Sequence, residues 1–216
     1  RKKKIYVSTL LMALGYSKND IVNEFYNKEV YTFDKKINKW KTKFNPENYK
    51  SKNFSEEIVD AKTQKTVVKM GDKINFVTAK KLFNDGLKEI FVSSNSLNGK
   101  YLHKDYEFKD EKFKIGTELN DTIIQKFLSN DINEISISST NSISKGPYLL
   151  QTIFNDKNET KNDSINEIYK VLRPGEPPTI EIATQIFNNL FFSSDRYDLS
   201  DVGRVKMNSR LNLNCS

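Results

Sequence analysis

The sequence has few of the residues on which catalytic and metal sites most often depend. Among 216 residues there is one cysteine, Cys215, and one histidine, His103. A single cysteine excludes an internal disulfide and fits a reducing, cytosolic setting. The two residues cannot form a zinc site at any usual ligand spacing. Ser-His-Asp catalysis would depend wholly on His103, which lies in the polar stretch YLHKDYEFKDEK without an oxyanion signature.

Glycine-rich loops and long apolar segments are also missing. The eight glycines show no Walker-type spacing, and no apolar run approaches the roughly 20 residues that span a membrane. The opening RKKKIYVS has neither an initiator methionine nor the apolar stretch of a signal peptide, which predicts a fragment of a longer protein. We therefore predict no catalytic residue, no bound metal and no cofactor in this chain.

Positive charge is the most conspicuous feature of the composition. The formal net charge is +7, which favours a nucleic-acid partner, although the abundance of Lys, Asn and Ile is equally typical of AT-biased codons. Residues 1–28 carry six basic and two acidic side chains, residues 163–216 six and seven, and residues 29–162 the remaining 23 and 19. Only the run Arg1–Lys4 is locally dense in positive charge.

Both ends of the chain have helical patterns. Apolar residues recur at helical spacing from 7 to 14, and the stretch from Ser17 to Asp20 resembles a capping box before a second helix. The polar residues 155–164 predict a loop, after which a helix starts near Ile165. Thr179 predicts the N-cap of a further helix with a wide apolar face.

The middle of the chain has strand patterns and an internal repeat. Alternation in residues 29–44 predicts a strand pair, and residues 58–70 predict a hairpin. GDKINFVTAKKLFNDGLKEIFVSS (71–94) resembles GTELNDTIIQKFLSNDINEISISS (116–139) at an offset of 45 residues. Each copy predicts a turn, a short helix and a strand, and two copies can pack pseudo-symmetrically around one core. Coincidence between two similar helix–strand units is the alternative.

These patterns together predict an α+β fold in two parts. A discontinuous, mainly helical domain comprises residues 1–28 and 163–216, because neither end is long enough to build a large core alone. An inserted α+β domain comprises residues 29–162 and contains the two-fold helix–strand repeat at 71–94 and 116–139.

Two motifs near the end of the chain identify a family resemblance. RPGEPPT (173–179) concentrates three of the five prolines, and LFFSSDRYDLSDVGR (190–204) follows it closely. The pair closely resembles the β subunit of bacterial DNA-directed RNA polymerase, as does RKKKIYVSTLLMALGYS at the start. Tyr6 stands where that family usually has Pro, and Met12 where Arg is common.

The resemblance implies that the two ends form the lobe of the β subunit, one wall of the DNA cleft in transcription. The middle then resembles the lineage-specific insertion of proteobacterial β subunits, a surface for regulators. The implied partners are DNA, the alpha, beta-prime, omega and sigma subunits and transcription regulators, with no membrane. The whole enzyme is implied to be a cytoplasmic, nucleoid-associated nucleotidyltransferase. Its Mg²⁺ and Zn²⁺ are implied to lie outside this chain.

The resemblance also implies which residues face DNA. The DNA-facing candidates are Arg1, Lys2, Lys3, Lys4 and Arg173. The residues that shape the elbow and the adjoining motif are Pro174, Gly175, Glu176, Pro177, Pro178, Arg196, Tyr197, Asp198, Gly203 and Arg204. Because proline fixes φ, we expect a stiff, extended elbow that holds Arg173 at little entropic cost.

Structural interpretations of the same residues stay open at this point. Arg173 can pair with a carboxylate of its own domain, and Arg1–Lys4 can be a solvated terminus. Arg196, Asp198 and Arg204 favour an internal ion-pair and turn network. Tyr197, Phe191 and Phe192 are expected in the core rather than in a base-stacking platform. For the chain as a whole, the alternatives are a free-standing basic nucleic-acid-binding module or a protein-interaction domain.

Overall fold

The fold is known from a computed structural model, which describes residues 4–49, 52–53, 57–108, 111–141, 145–177, 179–196 and 198–214. Its helices are α1 (Val7–Ala13), α2 (Lys18–Phe25), α3 (Phe76–Asn84), α4 (Asp121–Ser129), α5 (Tyr148–Asn155), α6 (Lys161–Leu172), α7 (Ile180–Phe191) and α8 (Asp201–Leu211). Its strands are β1 (Lys28–Asp34), β2 (Lys39–Lys43), β3 (Lys52–Asn53), β4 (Ile58–Asp60), β5 (Thr66–Val68), β6 (Lys73–Ile74), β7 (Glu89–Val92), β8 (Tyr101–Leu102), β9 (Tyr106–Phe108), β10 (Glu111–Phe113) and β11 (Glu134–Ser138). The mixed α+β class predicted from the sequence is confirmed.

The chain divides into two compact units. The first unit comprises Arg1–Gly15 and Asn158–Ser216, and the second comprises Tyr16–Lys157. The sequence-predicted boundaries, after residues 28 and 162, differ from these because α2 belongs to the second unit and the start of α6 to the first. The assignment of the two parts to a lobe and an insertion stays a prediction.

The first unit is built from helices of both chain ends. Helix α1 packs against α6, and α6 packs against α7. Their shared cluster of buried residues is Ala13, Ile165, Ile168, Tyr169, Ala183 and Phe187. Thr179 caps α7 as predicted, since its side chain accepts a hydrogen bond from the backbone N–H of Ile182. None of the residues of α8 is buried within this unit.

The predicted loop at 155–164 is wrong at its C-terminal end, where α6 already begins at Lys161. Thr160 is the N-cap, and it forms a capping box with Asp163. The backbone N–H of Asp163 donates to Thr160 Oγ1 at 3.1 Å, and the backbone N–H of Thr160 donates to an Asp163 carboxylate oxygen at 3.0 Å. These polar residues therefore stabilise a helix start rather than an irregular loop.

The second unit is organised around a seven-stranded antiparallel sheet in the order β5-β4-β7-β2-β1-β11-β8. The predicted strand pair is the β1–β2 hairpin, and the predicted second hairpin is β4–β5. Trp40, Thr42 and Phe44 are all buried, as their alternation predicted. The capping box predicted for α2 is also present, between Ser17 and Asp20.

The two similar segments have the same local structure at the same offset. Asn75 caps α3 and Asn120 caps α4, each by accepting a backbone N–H three residues later. Gly71 and Gly116 both have positive φ, at +89° and +81°. Strand β7 then pairs with β2, and β11 pairs with β1. The internal repeat as such stays a prediction.

The expected shared core is not what the structure has. The first copy contributes Ala79, Leu87 and Ile90 to one cluster of buried residues, whereas the second contributes Phe127 and Ile135 to another. In the sheet, β7 of the first copy lies beside β2, and β11 of the second copy lies beside β1. The two copies therefore flank the two edges of the β1–β2 hairpin, and each packs on its own half of the sheet.

Candidate nucleic-acid interface

The RPGEPPT segment begins with a tight turn that follows α6 directly. Arg173 is the C-cap of α6, and the backbone N–H of Glu176 approaches the carbonyl of Arg173 at 3.5 Å. Pro174 and Gly175 are the two central residues, and Gly175 has φ +91°. Proline followed by a left-handed glycine is the sequence that type II turns favour. The expectation of an extended elbow is therefore wrong for residues 173–176. Pro177 follows the turn, and Pro178 lies outside the described residues.

Arg173 is held loosely by a single carboxylate. Its Nη1 lies 3.5 Å from Glu176 Oε1, and both side chains are 56% exposed. An ion pair this exposed contributes at most about 1 kcal/mol, because water screens both charges. Glu176 therefore orients the guanidinium of Arg173 but leaves it accessible to another anion.

Glu176 has a second partner that the sequence did not indicate. The hydroxyl of Tyr169 donates to Glu176 Oε2 at 3.0 Å, and Tyr169 is only 3% exposed. Burial of the hydroxyl and its hydrogen bond to Glu176 raise the pKa of Tyr169 above its ordinary value. Tyr169 lies seven residues before Glu176, and only the turn brings the two together.

The N-terminal basic run is represented by one described residue. Lys4 is exposed and precedes Tyr6, the N-cap of α1. Arg1, Lys2 and Lys3 lie outside the described residues, so their predicted role stays a prediction.

The second motif forms the cap of α8 and one exposed ion pair. Ser200 Oγ accepts the backbone N–H of Gly203 at 3.3 Å. Arg204 Nη2 lies 3.2 Å from Asp198 Oδ1, with both side chains exposed. Arg196 lies in the preceding turn and forms no ion pair with any described residue. The predicted network therefore unites Asp198 with Arg204 but not with Arg196, and Tyr197 lies outside the described residues.

The prediction that Phe191 and Phe192 belong to the core is wrong for this unit. Phe192 is 66% exposed and Phe191 is 41% exposed, although the Phe191 ring lies 4.9 Å from that of buried Phe187. Val202 and Val205 on α8 are also exposed. Periodicity correctly predicted an apolar face on α7, but periodicity cannot show how much of that face is covered.

His103 lies in the interior rather than in an exposed polar loop. It is 4% exposed, and its Nδ1 lies 2.9 Å from Ser138 Oγ while its Nε2 lies 2.9 Å from Asn23 Oδ1. Burial, and then the charge of Lys28, lower the pKa of His103. Because both ring nitrogens are used in hydrogen bonds, this arrangement indicates a structural residue.

An open groove of about 540 Å³ runs along the β1–β2 hairpin of the second unit. Antiparallel register puts Lys28 and Val30 of β1 on the same face as Lys41 and Lys43 of β2. Lys41 pairs with Glu89 at 3.4 Å. In the part of the chain that the structure describes, neither Lys28 nor Lys43 has a carboxylate in ion-pair contact.

Among the described residues there is no group of three or more His, Cys, Asp or Glu side chains placed to hold a metal ion. None of the described helices combines the length and apolar character that crossing a bilayer requires.

The chain is similar to known RNA polymerase sequences. Residues 123–216 match the family described as RNA polymerase Rpb2, domain 2. Over its whole length the chain is 42% identical to the DNA-directed RNA polymerase subunit beta of Rickettsia felis, and equally to those of Rickettsia massiliae and Rickettsia rickettsii. It covers 16% of the length of each. The family match starts within α4, so it includes the end of the second unit as well as α6, α7 and α8.

Proposed function

Because the chain belongs to the family of β subunits of bacterial DNA-directed RNA polymerase, as its motifs predicted, we propose that its first unit is the lobe that forms one wall of the DNA cleft. In this role the unit grips DNA during transcription, and nucleotidyl transfer takes place elsewhere in the enzyme. The observation that carries the proposal is the placement of Arg173 on a proline–glycine turn, with its side chain more than half exposed.

The chemistry of Arg173 fits a phosphate better than it fits its present partner alone. A guanidinium has five donors in a planar fork, whereas Glu176 engages one of its nitrogens at 3.5 Å. The turn restricts the backbone, so little conformational entropy is lost when DNA binds. Lys4 and the residues before it add positive charge that attracts the backbone of a duplex.

The remaining parts of the proposal concern the whole enzyme. The partners are DNA and the alpha, beta-prime, omega and sigma subunits, and the Mg²⁺ and Zn²⁺ of the enzyme are bound by residues outside this chain. The setting is the bacterial cytoplasm, where transcription takes place on the nucleoid.

The test is Arg173→Ala in polymerase assembled with a β subunit that contains this chain. We expect a shorter lifetime of promoter open complexes, and a salt dependence of DNA affinity that is lower by about 0.9 per lost phosphate contact. Arg210→Ala, in the last turn of α8, removes the same charge from the same unit and should leave both quantities unchanged. Equal behaviour of the two variants and the unaltered enzyme would refute a DNA-facing Arg173.

The free-standing alternative makes a different prediction for the chain alone. One wall of a cleft should bind duplex DNA weakly, whereas an independent binding module should bind tightly with a steep salt dependence. A fluorescence anisotropy titration of the 216-residue chain with a labelled duplex, repeated at several salt concentrations, separates the two.

A second proposed function, docking of transcription regulators, is supported by the groove on the second unit. Its lining combines the lysines Lys28 and Lys43 with apolar surface from Val30 and Pro46, beside the carboxylates of Glu29 and Glu89, of which Glu89 already pairs with Lys41. Such a surface complements an acidic segment with apolar side chains, because two ammonium groups there lack a carboxylate among the described residues.

The docking proposal can be tested with a defined probe. We expect a labelled peptide of alternating Glu and Leu to bind the chain more tightly than its Lys–Leu counterpart. Lys28→Glu combined with Lys43→Glu should reverse that preference. Lys35→Glu is the control, since Lys35 already pairs with Asp131 at 2.9 Å outside the groove. Equal affinity for both peptides would rule out an acidic partner, and preferential binding of an oligonucleotide would indicate nucleic acid instead.

A further inference from the structure

The hydroxyl of the buried residue Tyr169 contacts the turn that carries the exposed Arg173. The Tyr169 hydroxyl contacts Glu176 Oε2 at 3.0 Å, and Glu176 Oε1 lies 3.5 Å from Arg173 Nη1. We propose that Tyr169 is a positioning residue, which orients Glu176 and through it presents the Arg173 guanidinium to the phosphate backbone of duplex DNA. This inference rests on the proposed function of Arg173.

Tyr169 is suited to this role because its ring cannot move freely. It belongs to the buried cluster of the first unit, together with Ile165, Ala183 and Phe187 from α6 and α7. A rigid aromatic ring places its hydroxyl at a fixed point, whereas an exposed glutamate has several rotamers of similar energy. The hydrogen bond therefore restricts the rotamers of Glu176, although the Glu176 side chain is 56% exposed, because its partner Tyr169 is fixed in the core.

The turn at residues 173–176 brings Glu176 close to both of its partners. Glu176 returns to within reach of both Arg173 and Tyr169 only because Gly175 has φ +91°. A methyl group at Gly175 would meet no atom within 4 Å. Gly175→Ala therefore disfavours the backbone conformation of the turn without causing a steric clash. Like loss of the Tyr169 hydroxyl, it should leave Glu176 less well oriented toward Arg173.

A purely structural role for the hydroxyl makes a different prediction. If the hydrogen bond only satisfied a buried polar group, its loss would lower stability without any connection to Arg173. If it positions Arg173, its effect on DNA binding must vanish when Arg173 is absent. A double-mutant cycle measures that difference directly.

The experiment uses polymerase assembled with a β subunit that contains this chain and a fluorescein-labelled DNA duplex at low salt, with affinity measured by anisotropy. We expect Tyr169→Phe to weaken binding about two- to fivefold, the range that an exposed ion pair supports. Tyr169→Phe should add nothing in an Arg173→Ala background. Tyr26→Phe is the matched control, since Tyr26 is a buried tyrosine of the second unit whose hydroxyl donates to the Gly146 carbonyl at 2.8 Å.

The outcomes distinguish this inference from the proposed function. If Arg173→Ala weakens binding and Tyr169→Phe does not, the positioning role is wrong while the DNA-facing role stands. The positioning role is equally wrong if Tyr169→Phe weakens binding by the same factor with and without Arg173. If Arg173→Ala leaves affinity and its salt dependence unchanged, the proposed function fails, and the positioning role fails with it.

Discussion

Replacing Phe127 by alanine should unfold the second unit at much lower denaturant concentration. Phe127 is fully buried in α4, and three aromatic rings surround it. The ring centroids of Tyr106, Phe108 and Phe113 lie 5.0, 5.4 and 5.4 Å from its own. Truncation therefore leaves a cavity and removes three aromatic contacts together.

The magnitude follows from those two losses. Phe→Ala substitutions in packed cores reduce the free energy of unfolding by about 3–5 kcal/mol, and we expect the upper half of that range because edge-to-face contacts are lost as well. With a urea m-value of about 2 kcal/mol per molar, the transition midpoint should fall by about 2 M.

Trp40 makes this measurement specific to the second unit. It is the only tryptophan of the chain, it is fully buried, and it belongs to the same cluster as Phe127. Its fluorescence during urea titration thus follows unfolding around Phe127 and not unfolding of the first unit. Phe192→Ala, at a site 66% exposed, is the control and should shift the midpoint by less than about 0.3 M. Equal shifts for the two variants would show that Phe127 does not support the core around Trp40.

Three further predictions concern the same two units. Burial lowers the pKa of His103 below its ordinary 6.5. As the pH falls, His103 is therefore protonated in the unfolded chain at a higher pH than in the folded chain. The Trp40-monitored urea midpoint should therefore be highest above pH 6.5 and fall as the pH drops below it, and His103→Gln should remove this dependence. Thr160→Ala should destabilise the first unit by about 1 kcal/mol, measured by far-ultraviolet circular dichroism, with Thr184→Ala in mid-α7 as comparison. Gly116→Ala should destabilise far more than Gly71→Ala in urea titrations. Both glycines have positive φ, but only at Gly116 would the new methyl lie 2.5 Å from a backbone carbonyl, that of Leu150.

The features predicted well from the sequence are those decided within a few residues. The caps at Ser17 and Thr179 depend on a side-chain oxygen and a backbone N–H three residues away. The β1–β2 hairpin follows from alternation alone, with Trp40 and Thr42 inside. The loop prediction at 155–164 failed for a local reason too, because the pair Thr160 and Asp163 was not recognised as a capping box.

The features that sequence patterns missed depend on what lies across the fold. His103 is surrounded by polar residues in the sequence, yet β11 and α2 enclose it in space. Phe192 is apolar, yet it stays 66% exposed within the first unit. At the candidate site, the sequence left open that Arg173 pairs with a carboxylate of its own domain, and the structure has Glu176 in that place. Tyr169 was missed because no periodicity relates a helical tyrosine to a residue beyond a turn.

The similar segments show where local chemistry stops determining structure. The same helix-capping asparagine and left-handed glycine recur in both, so the same turn, helix and strand form. The buried position of the helix, however, is Ala79 in the first copy and Ile124 in the second. In the first copy the stacked pair Phe44 and Tyr49 belongs to the same cluster as Ala79. The helix side chain at this position must match the volume that neighbouring segments leave, and a sequence repeat contains no information about those neighbours. Two copies with equal local structure can therefore fill two different cores, which is why similarity between the segments did not predict a shared one.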